Sequence, residues 1–140
     1  MSVDIDAQEL LHKAVKSFQG AERSGQFQMV HTIVEGLAAG GHRIIQAGTG
    51  TGKTLGYLVP AATHALSEGG RAVVVSTATI ALQRQLMEKD LPLLAKALLE
   101  EYGVTLTFAV LKGRNNYVCL QKLHSAIPDP EGEALFEVSR

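Results

Sequence analysis

Cysteine is nearly absent: Cys119 is the only one in 140 residues. That excludes an internal disulfide framework and suits a reducing compartment, so the cytoplasm is the expected location. No apolar run approaches the ~20 residues that a membrane-spanning helix needs, so no membrane is expected as a partner. Residues 1–8 contain Asp4 and Asp6 but no basic stretch, and do not read as a secretion signal. Charge of one sign is missing too, because the formal net charge is −1. A polyanion would have to be held by a local patch rather than by the field of the whole chain. Repeats and low-complexity tracts are absent, and nothing in the sequence points to a protein partner. The histidines, His12, His31, His42, His64 and His124, show no zinc-like spacing with one another or with Cys119. What is present is ordinary for a globular domain with a core, at 46% hydrophobic and 19% charged residues.

Helical periodicity comes first along the chain. Leu11, Ala14, Val15 and Phe18 share one face, and Gly20 stops that helix. Val30, Ile33, Val34 and Leu37 repeat the pattern up to Gly40-Gly41. Residues 43–46 then read as a short buried strand, followed by glycines and a helix over 55–66 that contains Pro60. A strand is expected at 72–75, a helix over 80–99 bent before Pro92, a strand over 104–111 and a short helix over 116–125. Strands alternating with helices predict an α/β fold, with a parallel sheet between helices. Residues 127–140 hold two prolines and four acids and read as a linker or the start of an insertion.

The sharpest chemical signal is Ala47-Gly48-Thr49-Gly50-Thr51-Gly52-Lys53-Thr54. It has the form of a phosphate-binding P-loop, with alanine for glycine at its first position. The glycines let successive N–H groups turn inward around an anion, and the following helix offers its free N-terminal N–H groups. Lys53 would reach the β- and γ-phosphates, and the Thr54 hydroxyl would coordinate Mg²⁺. The plain alternative, a glycine-rich turn with a chance lysine, does not call for a strand before the loop and a helix after it. ATP with Mg²⁺ is therefore the expected cofactor, with Lys53 and Thr54 as the groups nearest the chemistry.

Further segments join this loop in one resemblance. The stretch from Gln46 to Pro60, Q-A-G-T-G-T-G-K-T-L-G-Y-L-V-P, resembles superfamily 2 helicases of the DinG/XPD type. Residues 74–86, V-V-S-T-A-T-I-A-L-Q-R-Q-L, are similar to that family's motif Ia. Residues 111–120, L-K-G-R-N-N-Y-V-C-L, are similar to the segment that delivers its first cluster cysteine. Upstream, Arg23, Gln26 and Met29 match the stretch that recognises adenine, although Ser24 stands where proline is frequent and Gln46 where glutamate is common.

The resemblance implies a RecA-like first motor domain. Residues 1–126 would be the N-terminal part of its ATP-binding domain, reaching the start of an iron–sulfur insertion. It implies that Gln26 contacts adenine and that Ser76, Thr77 and Thr79 contact the backbone of single-stranded DNA. A serine or threonine among them equally suits the N-cap of the helix starting near Ile80, and Gln83 and Gln85 are weaker candidates for DNA. By the same resemblance Cys119 is one of four thiolates on an iron–sulfur cluster in the full-length parent, set among Lys112, Arg114 and Lys122.

The implied activity is an ATP-dependent helicase moving 5′ to 3′. No apolar run ends in the Asp-Glu pair that hydrolysis requires, so this chain is expected to bind ATP without turning it over. Two other classes stay open: a small nucleotide kinase, and a non-catalytic module with a vestigial loop.

Overall fold

The computed structural model describes residues 5–17 and 20–126. The chain divides into two units, Met1–Ala109 and Val110–Arg140. In the first, α1 (Ala7–Ser17) forms where Leu10, Leu11, Ala14 and Val15 recur at helical spacing. Its start is satisfied by Asp6, whose carboxylate accepts the Glu9 N–H at 2.8 Å. Leu10, Leu11 and Ala14 have no exposed surface. Around this stripe pack α2 (Ser24–Ala39), α3 (Lys53–Leu66) and α5 (Leu91–Tyr102). Val30, Val59, Leu94 and Leu98 close the core, also without exposure.

One glycine lies where α2 and α3 approach each other. A Cβ on Gly56 would lie 2.8 Å from the Met29 sulfur, so a larger residue there would make the Met29 side chain shift. Pro60 sits inside α3 and is fully buried. The helix runs through it, with Leu55, Leu58 and Val59 buried before it and Ala62 after it.

The bend expected before Pro92 is a π-helical turn, Leu86–Asp90, between α4 (Ile80–Gln85) and α5. Here the Leu91 N–H reaches back to the Leu86 carbonyl. The wider turn has a physical cause: proline lacks an N–H, and its ring crowds the carbonyl four residues earlier. At the far end Gly103 takes a left-handed φ of 66°, and its N–H closes on Leu99.

The expected strands differ. Among the described residues, 43–46, 72–75 and 104–111 carry no strand ladder. Burial in the first unit nonetheless alternates: Val104 and Leu106 are half-buried between exposed Thr105 and Thr107, and Ile45 is half-buried beside exposed Ile44. Val104 and Leu106 thus pack one face of their segment on the helical core. A ladder also requires a neighbouring strand for every N–H and C=O, and none of the three segments supplies one to another. Val74 is 89% exposed as a result. Val34 and Leu37, expected on a core face of α2, are also exposed.

The second unit has a 3₁₀ turn, Arg114–Asn116, and α6 (Leu120–Ala126), where a single helix was expected over 116–125. Residues 127–140, expected as a linker, lie outside the described residues. No helix among the described residues is long and apolar enough to cross a membrane.

The core assignment can be tested by a neighbouring pair. Leu98→Ala removes a fully buried side chain and should cost about 2–5 kcal/mol. Leu99→Ala, at a residue 55% exposed, should cost less than about 1 kcal/mol. Urea unfolding of both variants reads the difference.

Candidate nucleotide-binding site

The loop between residues 46 and 53 owes its shape to backbone that only glycine adopts easily. Gly50 and Gly52 have φ of 75° and 76°, in the left-handed region. Gly52 is also the N-cap of α3, and its carbonyl accepts the Gly56 N–H at 3.2 Å. The Thr51 hydroxyl donates to the Gly48 carbonyl at 2.9 Å, closing the curl from within. Lys53 folds back over the loop, and its ammonium donates to the carbonyls of Ala47 at 3.0 Å and Gly48 at 2.8 Å. An ammonium has three N–H donors, so one remains for a phosphate oxygen. Lys53 is exposed, as a group that meets a solvated ligand must be. Thr49 is exposed on the same loop.

Two side chains from the start of α2 reach this loop. The Arg23 guanidinium donates to the Gly50 carbonyl. The Gln26 amide nitrogen donates to the Gly52 carbonyl at 2.9 Å, and Gln26 is only 4% exposed. Met29, one turn on, lies against Gly56.

Thr54 follows Lys53 on the first turn of α3 and is half-buried. Three residues on, on the same face, stands Tyr57. Burial pushes the Tyr57 phenol above its ordinary pKa, and the Thr54 hydroxyl beside it pulls the other way. Asp90, in the π turn, adds a negative charge near the same phenol. Its carboxylate is buried and accepts the Gln85 amide at 2.9 Å. One N–H of the Gln85 amide is therefore used within the fold.

Of the residues expected at DNA, Ser76 is exposed and Thr77 half-buried, its hydroxyl donating to the Thr79 carbonyl at 3.3 Å. Thr79 is the N-cap of α4, and its hydroxyl accepts the Leu82 N–H at 3.2 Å. In the second unit Cys119 is exposed, and its carbonyl accepts the Leu123 N–H at 2.9 Å. Among the described residues no three His, Cys, Asp or Glu side chains gather to hold a metal. Cys119 can offer one thiolate, which alone does not hold an iron–sulfur cluster.

Residues 23–129 match the DEAD/DEAH box helicase family, a span that contains the loop, its two ties from α2 and the segment before α4. The chain belongs to this family. Within this family it is 48% identical to the ATP-dependent helicase DinG of Mycobacterium tuberculosis over 126 residues, 90% of this chain and 19% of that protein. It is 40% identical to the ATP-dependent DNA helicase YoaA of Escherichia coli over 123 residues, 88% of this chain and 18% of the relative. A third relative, the 3′-5′ exonuclease DinG of Bacillus subtilis, is 34% identical over 110 residues, 79% of this chain and 11% of its own length. The chain is thus of the DinG/XPD-like helicase type and spans about a fifth of the first relatives' length. No solved structure matches it.

Membership in a DEAD/DEAH box helicase family implies a P-loop NTPase motor fold, and the loop geometry agrees with that. Sequence reading overlooked Tyr57 and Asp90. For Tyr57 the signal was its spacing of three from Thr54; for Asp90 it was Pro92 two residues later, which forces the turn that buries the carboxylate.

Thr79 gives a direct check on this local structure. Thr79→Ala removes the α4 cap and should lower stability by about 1 kcal/mol. Thr79→Ser, which keeps the acceptor oxygen, should recover most of the loss in thermal or urea unfolding.

Proposed function

We propose that this chain is the nucleotide-binding segment of an ATP-driven DNA helicase motor. The observation that carries the reading is the loop itself: left-handed Gly50 and Gly52, Lys53 arched over the loop carbonyls, and Thr54 at the start of α3. A nucleoside triphosphate fits these groups. The loop and helix N–H groups surround its β- and γ-phosphates, Lys53 supplies positive charge, and Ala47, Gly48, Thr49 and Thr51 shape the rim. Thr54 would hold Mg²⁺, which neutralises phosphate charge when bound.

The finer parts of the proposal rest on family likeness. The three segments without ladders would be strands of a parallel sheet whose remaining strands come from elsewhere in a longer protein. The alternating burial at residues 104–107 favours this. Ser76, Thr77 and Thr79 would contact the backbone of single-stranded DNA, with movement 5′ to 3′. Cys119 would contribute one thiolate to an iron–sulfur cluster of the complete protein, residues 127–140 continuing that insertion, in a cytoplasmic location. This chain alone binds ATP and does not turn it over, for want of an Asp-Glu pair after an apolar strand.

Calorimetry with Mg²⁺-ATP tests the central part. The chain should bind, and Lys53→Ala should weaken binding at least about tenfold, the loss of one charged phosphate contact. Equal affinity in the two proteins, or no binding by a folded wild-type chain, would contradict the reading. Phosphate release that vanishes in Lys53→Ala would contradict the inactivity.

A further inference from the structure

Tyr57 follows Thr54 by three residues on α3, so the two side chains share a face of that helix. The Tyr57 ring packs against the buried core, and its phenol lies within hydrogen-bond reach of the Thr54 hydroxyl. Asp90 brings a carboxylate near the same phenol. That carboxylate is 6% exposed and is held by the Gln85 amide at 2.9 Å, in a π turn that packs on α3. The donors among these groups can be counted. A carboxylate only accepts, whereas each hydroxyl has one O–H and two lone pairs. The negative field of Asp90 favours a phenol proton turned toward the carboxylate. The phenol oxygen is then left to accept the O–H of Thr54. A threonine whose proton is given away in this manner keeps its lone pairs for a third group, and lone pairs are what an oxygen offers a hard cation.

We infer that Tyr57 is a positioning residue that accepts the Thr54 O–H and so keeps the Thr54 oxygen free to coordinate the Mg²⁺ of a bound nucleotide, with Asp90 setting the direction of the phenol. The inference rests on the reading of this loop as a nucleotide site with Thr54 as a metal ligand. Its physical content is preorganisation. A hydroxyl is a free rotor, and one already held in its accepting orientation need not be ordered when the cation arrives. A tyrosine that only fills space against the core needs its ring and not its oxygen. The two roles therefore separate on that one atom.

Tyr57→Phe removes the oxygen and keeps the ring. ATP affinity is measured by calorimetry, with Mg²⁺ and with the metal chelated by EDTA, on the wild-type chain, Tyr57→Phe, Thr54→Ala and the double variant. Thermal melting accompanies each. Tyr57→Phe should bind Mg²⁺-ATP about three- to tenfold more weakly and metal-free ATP as the wild type does. In the Thr54→Ala background the same substitution should cost nothing further, because the hydroxyl it positions is gone. Should Tyr57→Phe fail to fold, Asp90→Asn, which keeps an acceptor for the Gln85 amide, should lower the preference for Mg²⁺-ATP over metal-free ATP; a wild-type preference there overturns the inference. So does a folded Tyr57→Phe chain with wild-type affinity for Mg²⁺-ATP, an equal loss with and without the metal, or a loss that persists in Thr54→Ala. A wild-type chain that binds ATP under neither condition overturns the nucleotide-site reading itself, a separate outcome.

Discussion

Burial of one face of α1 is the constraint on which the rest of the first unit depends. Leu10, Leu11 and Ala14 are sealed from solvent among α2, α3 and α5, and each large apolar side chain so buried contributes about 1.5–3 kcal/mol. That contact holds α2 and α3 in a fixed relation. Met29 lies against Gly56 where they approach. The P-loop inherits its geometry from both helices: α3 begins at its last residue, and α2 supplies Arg23 and Gln26 to its carbonyls. The functional loop is thus an outcome of core packing.

The same logic runs through the long helical stretch after residue 79. Thr79 caps it, Pro92 opens it into a π turn, and the opened turn buries Asp90 against Gln85. A buried carboxylate is costly unless hydrogen-bonded, so the Gln85 amide is part of what lets the turn persist. The turn also packs on α3 and brings Asp90 near Tyr57, beside Thr54. The π turn and the first turn of α3 are therefore linked by packed side chains.

Much of this was legible in the sequence, because the signals are local. The glycine spacing with Lys53 and Thr54 specified the loop. Apolar periodicity with Gly20 and Gly40-Gly41 marked the helices, and Pro92 marked the bend. The misses need non-local information. Whether residues 43–46, 72–75 and 104–111 pair is decided by neighbouring strands, not by their own β-branched character. Val34 and Leu37 look like core by spacing, yet they are 39% and 40% exposed. The bond from Gln26 to the Gly52 carbonyl spans 26 residues and has no local signal in the sequence.

The central claim is that the loop and helix N–H groups between Gly48 and Thr54, held by the α2–α3 frame, form the site for a nucleotide's phosphates. Hydrogen–deuterium exchange of the chain, with and without saturating Mg²⁺-ATP, addresses those groups directly. Slowed exchange concentrated at the amides of residues 48–54 is the predicted result. Unchanged exchange there, or protection confined to other segments, would contradict the account.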